Sequence, residues 1–509
     1  MKSLFLLLLT TAFCHSQISE TELDDVVART MKTFNVPGIA VGIVKDGRVV
    51  LAKGYGVTNI NTGQKTDANT LFGIASNSKA FTAAALAQLV DQGKIKWDDK
   101  VRQHLPEFAM YNDYVSAEFT IRDLLCHRSG LGLGAGDLMI WPDGHNFTPA
   151  DVVANIRHLK PVSGFRAKYD YDNLLYVIAG EVVARVTGVS WADYVEQNLM
   201  KPVGMTRSVA SWKRIKDSSN TVVPHVPTMG KLKVIPRYTN PIMDAAAGLY
   251  ASVNDLSKWV MTQLDQGKYS GGELFSAKQH AEMWTPQTVM PLRSTAPYKT
   301  NFRTYGLGWQ LNDINSYLQV SHTGGLEGIV TQVIMIPEIK LGIIVLTNQQ
   351  SGAAFNAISN TIKDRYLGLT NPDHVVTLSA DRKSKEDDAG KIVSEVWQTV
   401  DKNLKQGKKP GRAMLGTYAD NWFGEVEIFE QKGKFRFRSK RSPALKGELF
   451  LYDTNHYVVK WDNRSFDADA HLFANFSADG TLEGFTMKAI SPLTDFSYDF
   501  HDLDFKRVR

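Results

Sequence analysis

The pattern of apolar and polar positions changes its period several times along the chain. Residues 20–34 repeat apolar side chains at helical spacing, which predicts an amphipathic helix. The segment GIAVGIVKDGRVVLAKGYGV, Gly38 to Val57, is typical of two strands joined at Asp46-Gly47. The segment GIASNSKAFTAAALAQLVDQGKIKWDD, Gly73 to Asp99, predicts a helix that is apolar on nearly every face and ends at Gly93. Such a helix is expected inside a protein core.

The region that follows predicts many loops and a second group of helices, including one near Asn173 to Thr187. Residues Ser321 to Gln350 are typical of two more strands around Pro337-Glu338, and a helix is expected over Ala353 to Tyr366. Strands from both ends of this region are expected to form one antiparallel sheet flanked by helices, with an all-helical subregion between them. The sequence therefore predicts an α+β domain over residues 17–370.

The composition changes after this region. Residues 371–409 are highly charged and predict a helical linker that ends at Gly407. From Gly416 onward, apolar residues alternate with polar ones in short stretches divided by Gly433, Gly447 and Asp479-Gly480. We therefore expect residues 410–509 to form a small all-β domain, a barrel or a sandwich.

Composition excludes several classes of function. The 509 residues are 43% hydrophobic and 22% charged, with a formal net charge of +5, and the basic residues are scattered. No basic stripe suggests nucleic acid as a partner. The sequence has no His-Glu-x-x-His motif and no Cys/His cluster, so no metal or cofactor is expected.

The first residues are typical of an export signal. The apolar run Leu4 to Phe13 is too short to span a bilayer but suits the core of a signal peptide, residues 1–16. The bulky Phe13 disfavours a lipoprotein anchor at Cys14, and no later stretch is long and apolar enough to cross a membrane. We therefore expect a secreted or periplasmic protein. Removal of the signal leaves Cys126 without a disulfide partner, and a buried thiol is favoured over a nucleophile beside His127.

The apolar helix carries a polar pair near its start. Ser76 and Lys79, three residues apart, would lie on one helical face within reach of each other. Backbone N–H groups at a helix start stabilise a developing anion. A lysine beside a serine hydroxyl accepts its proton or keeps another base ionised. An N-cap serine with a surface lysine is the alternative interpretation, and the Ala-rich continuation of the helix argues against it.

Two further groups of residues carry candidate chemistry. Tyr171-Asp172-Asn173 precedes an apolar helix, and a nearby lysine would lower the pKa of the tyrosine and make it a base. A simple turn is the alternative, and Tyr238-Thr239-Asn240 has the same spacing without a helix directly after it. His322-Thr323-Gly324-Gly325 is expected at the start of a strand, where two glycines let a ligand approach the backbone. The Gly325 N–H is a candidate second oxyanion donor beside that of Ser76.

In this order the three groups resemble the motifs of the serine β-lactamase and penicillin-binding family, S-x-x-K, S-D-N and K-T-G. The resemblance covers about residues 20–368 and is closer to the class C β-lactamase, esterase and D-aminopeptidase branch, which has Tyr-x-Asn and often His-Thr-Gly. The segments LLCHRSGLGLG, AAGLYASVNDLSKW and YGLGWQL also resemble this branch. The C-terminal residues resemble a barrel-like domain appended to some such hydrolases.

The resemblance implies a covalent mechanism. Ser76 would attack a carbonyl with help from Lys79, and Tyr171 would act as general base and then as proton donor to the leaving group. The N–H groups of Ser76 and Gly325 would hold the oxyanion, and water would cleave the acyl-enzyme. Asn173 and Thr323 would orient the substrate. His322 and Gly324 complete the substrate-binding residues of the motifs.

His322 departs from the lysine of penicillin-recognising members. A histidine is largely neutral near pH 7, so it gives no permanent charge for a substrate carboxylate. This favours a small-molecule or peptide substrate with an ester, an amide or a D-residue, cell-wall-derived peptides included. The alternatives are a class C-type β-lactamase or D-alanyl-D-alanine carboxypeptidase, and an inactive ligand-binding protein that uses the C-terminal barrel.

Overall fold

The computed structural model describes residues 17–228, 230–292 and 297–508. The predicted signal peptide, residues 1–16, lies outside the described residues. The strands of the first part of the chain are β1 (Gly38–Lys45), β2 (Arg48–Gly56), β3 (Phe72–Gly73), β4 (His225–Thr228), β5 (Lys231–Val234), β6 (Tyr250–Ala251), β7 (Lys268–Tyr269), β8 (Gly272–Glu273), β9 (Thr288–Val289), β10 (Arg303–Tyr305), β11 (Gln310–Ile314), β12 (Tyr317–Leu326), β13 (Ile329–Ile336) and β14 (Leu341–Thr347).

The α-helices surround these strands and connect them to the C-terminal domain. They are α1 (Glu20–Phe34), α2 (Ser78–Asp91), α3 (Asp113–Glu118), α4 (Ile121–Leu125), α5 (Pro149–Asn155), α6 (Leu174–Thr187), α7 (Trp191–Val195), α8 (Asp244–Ala247), α9 (Val253–Leu264), α10 (Ala277–Met283), α11 (Gly352–Leu367) and α12 (His374–Lys405). The predicted helices at residues 20–34, near Asn173 to Thr187 and over Ala353 to Tyr366 are all present.

Eight strands form one antiparallel sheet in the order β2-β1-β14-β13-β12-β11-β10-β9. Because side chains alternate between the faces of a strand, β1 contributes to two cores. Ile39, Val41 and Ile43 pack in the core that includes α1 and α11, whereas Ala40 and Val44 pack in the core that includes α9. Helices therefore cover both faces, and the expected pairing of strands from both ends of the region is confirmed.

The segment Ser321 to Gln350 differs from the prediction of two strands. It contains most of β12 together with β13 and β14. Strand β12 begins earlier, after Asn315 and Ser316, which have φ angles of 48° and 74°. Two successive left-handed residues form the tight turn that a hairpin prefers, but Asn-Ser lacks the glycine that usually reveals it. The motif His322 to Gly325 consequently lies near the end of a strand and not at its start.

Helix α2 is buried on nearly all sides, as its sequence predicts. Phe81 stacks on Trp259 of α9 with ring centroids 4.0 Å apart. Thr82 satisfies its hydroxyl inside the core by donating a hydrogen bond of 2.6 Å to the Ala245 carbonyl. The helix is therefore a fixed support for the residues at its start.

The C-terminal domain is a closed eight-stranded barrel. Its strands are β15 (Gly416–Asp420), β16 (Gly424–Gln431), β17 (Lys434–Ser439), β18 (Lys446–Asp453), β19 (His456–Trp461), β20 (Ala470–Phe476), β21 (Leu482–Ala489) and β22 (Asp504–Arg507). Alternate residues such as Val426, Ile428 and Phe437 are buried. Helix α12 packs on the barrel through Val396 and Val400.

The barrel contacts the first domain at several points. Arg441 makes two hydrogen bonds of 3.0 Å to the carboxylate of Asp151 at the start of α5. Residues 491–499, which we call the barrel loop, extend further toward the first domain. Within this loop, the Ser497 hydroxyl donates to Asp137, and Asp499 accepts from the Gly136 N–H. The barrel is thus placed to contribute residues to a site in the first domain.

Across the described ranges, no individual helix has both the length and the apolar composition needed to cross a membrane. A pair of helices, Leu174–Thr187 and Trp191–Met200, meets the criterion only when joined across a bend of 76°.

Candidate active site

Ser76 lies in a short 3₁₀ turn, Ala75–Asn77, directly before α2 and not in the first turn of the helix. Ala75 has a φ angle of 50°, a left-handed conformation that costs free energy for a residue with a Cβ. Thr331 of β13 holds the turn, because its hydroxyl donates to the Ile74 carbonyl and accepts from the Asn77 side chain, each at 2.9 Å. The nucleophile candidate is therefore on a rigid turn pinned to the sheet.

The two glycines of the third motif have different surroundings. A Cβ at Gly324 would lie 2.2 Å from the Ile74 carbonyl oxygen and 2.6 Å from Thr331 Oγ1, so strand β12 approaches the Ser76 turn only because this residue is glycine. Gly325 has open space around it and lines a cavity together with Ser76. The absence of a side chain at Gly324 thus lets the Ser76 turn pack against β12, whereas Gly325 faces the space that a ligand would occupy.

Lys79 is completely buried and directed at Ser76. Its Nζ lies 3.1 Å from Ser76 Oγ, 2.7 Å from Asn173 Oδ1 and 3.1 Å from the Ala246 carbonyl oxygen. The described residues place no carboxylate within ion-pair distance of this ammonium group. Burial lowers the pKa of Lys79 to about 7, against the opposing charges of Asp137 and Asp172. A large fraction of this amine is therefore neutral near neutral pH.

Tyr171 lies on the other side of Ser76. The Lys79 Nζ is 4.8 Å from its ring centroid, and the Tyr171 side chain is hydrogen-bonded to Ser76. Burial raises the pKa of Tyr171 well above its ordinary value, an effect that the hydrogen bond to Ser76 only partly offsets. The prediction that Lys79 lowers the pKa of Tyr171 is therefore wrong, because desolvation of the phenolate outweighs the attraction of the amine. Tyr171 is a neutral phenol in this site.

Asn173 connects Lys79 to a buried carboxyl group. Its Oδ1 accepts from Lys79, and its Nδ2 donates to Asp137 Oδ2 at 2.8 Å. The same Asp137 oxygen accepts a hydrogen bond of 2.8 Å from Ser497 of the barrel loop. Burial raises the pKa of Asp137 to about 7. The side chain of Asn173 is thus fixed by both domains, and it also lines the cavity beside Ser76.

His322 is buried and neutral, as expected for its position in place of a lysine. Its Nδ1 lies 2.6 Å from the Thr323 carbonyl oxygen, so Nδ1 carries the hydrogen, and Nε2 accepts from the Tyr305 hydroxyl at 2.9 Å. Burial lowers the pKa of His322 to about 3, and the Lys79 charge acts in the same direction. The histidine therefore offers no positive charge to a substrate.

Two cavities open onto Ser76. The acidic cavity, about 230 Å³, is bounded by Asn173, Gly325 and several carboxylate side chains, and the open cavity, about 480 Å³, is bounded by Tyr171 and residues of β12. The barrel loop contributes Asp495 and Ser497 to both. The open cavity also includes His322, Thr323, Lys168 and Arg303. The structure thus brings all eight predicted site residues into one region. Six of them line the two cavities, and Lys79 and Gly324 lie behind the cavity walls.

Other motifs of the sequence lie outside this arrangement. Burial raises the pKa of the Cys126 thiol to about 12, which agrees with a buried thiol and excludes a nucleophile beside His127. Tyr238 stacks on Trp141 and donates to the Ile140 carbonyl, and Asn240 caps a 3₁₀ turn. This second Tyr-x-Asn sequence therefore has a structural role.

The sequence interpretation missed several residues of the site. Asp137 follows the glycine-rich GLGLGAG segment, and an acidic residue at the end of an apolar loop was a usable signal. His127 is fully buried and its ring lies 4.2 Å from that of Tyr171. The barrel-loop residues gave no local signal, because they reach Ser76 from more than 400 residues away in sequence.

Comparison with known proteins agrees with this geometry. Residues 23–366 match the family described as Beta-lactamase. The chain belongs to the β-lactamase family. This β-lactamase-family chain is a serine hydrolase with a large antiparallel sheet, flanking helices and a C-terminal barrel. Its residues 403–507 match a Domain of unknown function (DUF3471).

Curated relatives and solved structures resemble this β-lactamase-family hydrolase over most of its length. The unguisins hydrolase ungD' of Aspergillus campestris is 25% identical over 419 residues, covering 79% of this chain and 76% of the relative. The protein flp of Staphylococcus aureus is 28% identical over 338 residues, covering 65% and 64%. The octameric penicillin-binding protein homologue from Pyrococcus abyssi has the same fold, with a TM-score of 0.64 at 22% identity over 94% of this chain and 99% of that one.

Proposed function

We propose that this chain is an exported serine hydrolase that cleaves an ester, an amide or a D-residue-containing peptide through an acyl-enzyme on Ser76. The observation that carries this proposal is the buried Lys79 amine, 3.1 Å from Ser76 Oγ and with its pKa lowered to about 7. An amine with this pKa accepts a proton from a serine hydroxyl at neutral pH, whereas an ordinary lysine is almost fully protonated.

The mechanism assigns a proton position to each group. Neutral Lys79 takes the Ser76 proton as Oγ attacks the carbonyl, and the neutral Tyr171 phenol donates a proton to the leaving group and is reprotonated from Lys79. The backbone N–H groups of Ser76 and Gly325 stabilise the oxyanion. Thr323 and the cavity face of Asn173 orient the substrate. Water then attacks the acyl carbon. Neutral Lys79, acting with the Tyr171 hydroxyl, takes a proton from the water and delivers it to Ser76 Oγ as the ester bond to the acyl group breaks.

The neutral His322 supports an ester, amide or peptide substrate over a β-lactam. A β-lactam or a peptide C-terminus presents a carboxylate, which a permanent cation at this position would bind. The second candidate function, a class C-type β-lactamase or D-alanyl-D-alanine carboxypeptidase, is supported by Arg303 and Lys168 in the open cavity. Lys168 is already paired with Asp170 at 3.0 Å, which reduces its value as a carboxylate ligand.

A substrate panel tests the proposal. Purified protein without residues 1–16 would be assayed with p-nitrophenyl esters, D-amino-acid p-nitroanilides and nitrocefin, with Ser76→Ala as control. We expect turnover of at least one ester or anilide that Ser76→Ala abolishes. Rapid nitrocefin turnover without ester or anilide activity would overturn the preference for an ester, amide or D-residue substrate and favour the β-lactamase of the second candidate. Equal turnover by Ser76→Ala would contradict a serine mechanism at this residue.

The same panel addresses an inactive ligand-binding protein. In that case the barrel would bind the ligand and Ser76 would be unreactive toward every substrate. The intact contacts among Ser76, Lys79 and Tyr171 support an active enzyme.

Export rests on the apolar run at the N-terminus. We expect the mature protein to begin at Gln17 and to be recovered outside the cytoplasm of its host. Mass spectrometry of the N-terminal peptide from cell fractions measures both. A cytoplasmic protein that retains residues 1–16 would overturn the proposal of export while leaving the hydrolase mechanism intact.

A further inference from the structure

The acidic cavity has a one-sided charge distribution. Three carboxylate side chains line it, and its lining among the described residues includes no lysine, arginine or histidine. Glu327 lies at the turn between β12 and β13, whereas Asp467 and Asp495 come from the barrel. A cavity that opens directly onto the nucleophile candidate is therefore negative on walls supplied by both domains.

The three carboxylates are incompletely paired within the described structure: the Arg464 charge acts to lower the pKa of Asp467, but burial outweighs it. None of the three carboxylates forms an ion pair there; Glu327 accepts a hydrogen bond of 2.7 Å from the Ser465 hydroxyl, and Asp495 accepts one of 2.9 Å from the Ser497 N–H. Burial raises the pKa of each group, and the Asp495 charge further raises the pKa of Glu327. A cation entering the cavity would stabilise the ionised forms that burial disfavours.

The remaining walls suit a cation as well. The rings of Trp141, Phe466 and Tyr498 line the same cavity, and the centroids of Phe466 and Tyr498 are 5.5 Å apart. Aromatic faces attract ammonium and guanidinium groups. Arrangements of aromatic rings and carboxylates are consequently common where proteins bind organic cations.

Two polar atoms in this wall have no hydrogen bond of normal geometry. The Tyr498 hydroxyl and the Trp141 indole N–H belong to side chains that are only 5% and 8% exposed. The two groups interact with each other but leave their hydrogen-bonding capacity unsatisfied. A buried polar group with unsatisfied hydrogen-bonding capacity costs free energy. The Tyr498 hydroxyl oxygen can accept a hydrogen bond from an ammonium or guanidinium group, whereas the Trp141 N–H, a donor, cannot be satisfied by a cation.

We propose that the acidic cavity selects substrates that carry an ammonium or guanidinium group on the side of the scissile bond facing Asn173. This inference deepens the proposed function and depends on it, because the cavity and the nucleophile must act on the same molecule. The cation would lie among Glu327, Asp467 and Asp495, and the scissile carbonyl would lie at Ser76 and Gly325. The barrel thus becomes a determinant of specificity and not only an attached domain.

Matched substrates test the preference for charge. Turnover of p-nitrophenyl 4-(trimethylammonio)butanoate, whose quaternary nitrogen cannot cyclise onto the ester, would be compared with that of its uncharged isostere, p-nitrophenyl 5,5-dimethylhexanoate. We expect kcat/KM to be at least about tenfold higher for the cationic ester, as one well-placed charge contact provides. Equal values for cationic and uncharged esters would overturn the inference.

Charge-removing variants locate the effect. Asp495→Asn and Glu327→Gln should each reduce the ratio of cationic to uncharged kcat/KM by about fivefold or more, since each removes one carboxylate from the cavity. Glu483→Gln on the outside of β21 is the matched control and should leave the ratio unchanged. If the two cavity variants fold, as shown by circular dichroism, and retain the wild-type ratio, the cation lies elsewhere and the inference is wrong.

A binding measurement separates this inference from the proposed hydrolase. Calorimetry with n-butylammonium and Ser76→Ala requires no catalysis, and Asp495→Asn introduced into Ser76→Ala serves as the comparison. Binding that the second substitution weakens supports the cavity even if wild-type protein hydrolyses nothing, in which case only the proposed function fails. Ester hydrolysis by wild type together with no ammonium binding would overturn the inference alone.

Discussion

Replacing Asp137 with asparagine is expected to shift the pH dependence of acylation to lower pH. Asp137 accepts from Asn173, which in turn accepts from Lys79, so a negative charge lies one side chain away from the amine. Burial lowers the pKa of Lys79 to about 7, and the Asp137 charge limits that decrease. Asparagine keeps the acceptor oxygen for Asn173 and Ser497 while it removes the charge.

The expected size of the shift follows from the geometry. Hydrogen bonds of 2.7 and 2.8 Å on either side of the Asn173 amide place the two charges about 7–8 Å apart. At an effective dielectric constant of about 20 this separation gives about 2 kcal/mol, equivalent to about 1.5 pKa units. The pKa of Asp137 is itself raised to about 7, so the group is about half ionised near neutral pH. We therefore expect a decrease of about 1 unit in the pKa of Lys79.

The assay is the pH profile of kcat/KM for p-nitrophenyl acetate between about pH 5 and pH 9. Because the base must be neutral, activity should rise with pH, reaching half its plateau near pH 7 in wild type and near about pH 6 in Asp137→Asn. Asp479→Asn, an exposed charge on the barrel, is the control and should match wild type. A wild-type midpoint near that of an ordinary lysine, or a folded Asp137→Asn enzyme with an unshifted midpoint, would refute the reasoning.

Three other substitutions have defined outcomes. Tyr171→Phe should lower kcat for ester hydrolysis by about 10²- to 10⁴-fold, because it removes only the hydroxyl that transfers protons; an unchanged kcat would exclude this role. Gly324→Ala should lower the free energy of unfolding by about 1–3 kcal/mol in urea denaturation, whereas Gly325→Ala, with open space around its Cβ position, should not. Phe81→Ala should cost about 3–5 kcal/mol by the same measurement, because it leaves a cavity beside Trp259.

Local sequence signals predicted the secondary structure well where periodicity and turn residues agree. The helix Glu20–Phe34 and the hairpin at Asp46-Gly47 are examples. The start of β12 was missed because Asn315-Ser316 forms a left-handed turn without glycine. Spacing alone does not reveal such a turn, since the neighbouring strand β11 stabilises the conformation.

The residues of the site could be predicted, but their ionisation could not. Ser76, Lys79 and Tyr171 were found from spacing and order, and the structure brings them together. The pKa of Tyr171 depends on how completely the fold removes water from its ring, which a sequence does not contain. The acidic cavity was not foreseen for a different reason: two of its carboxylates come from the barrel, which lies far from Ser76 in sequence.

The covalent role of Ser76 is tested most directly by mass spectrometry after reaction with a fluorophosphonate. We expect one adduct per chain, located on the peptide that contains Ser76, and none on Ser76→Ala. We also expect Lys79→Ala to react at least about 100-fold more slowly than wild type, because no base remains to take the hydroxyl proton. An adduct on another residue, or equal labelling of Ser76→Ala, would contradict the role of Ser76 as the nucleophile.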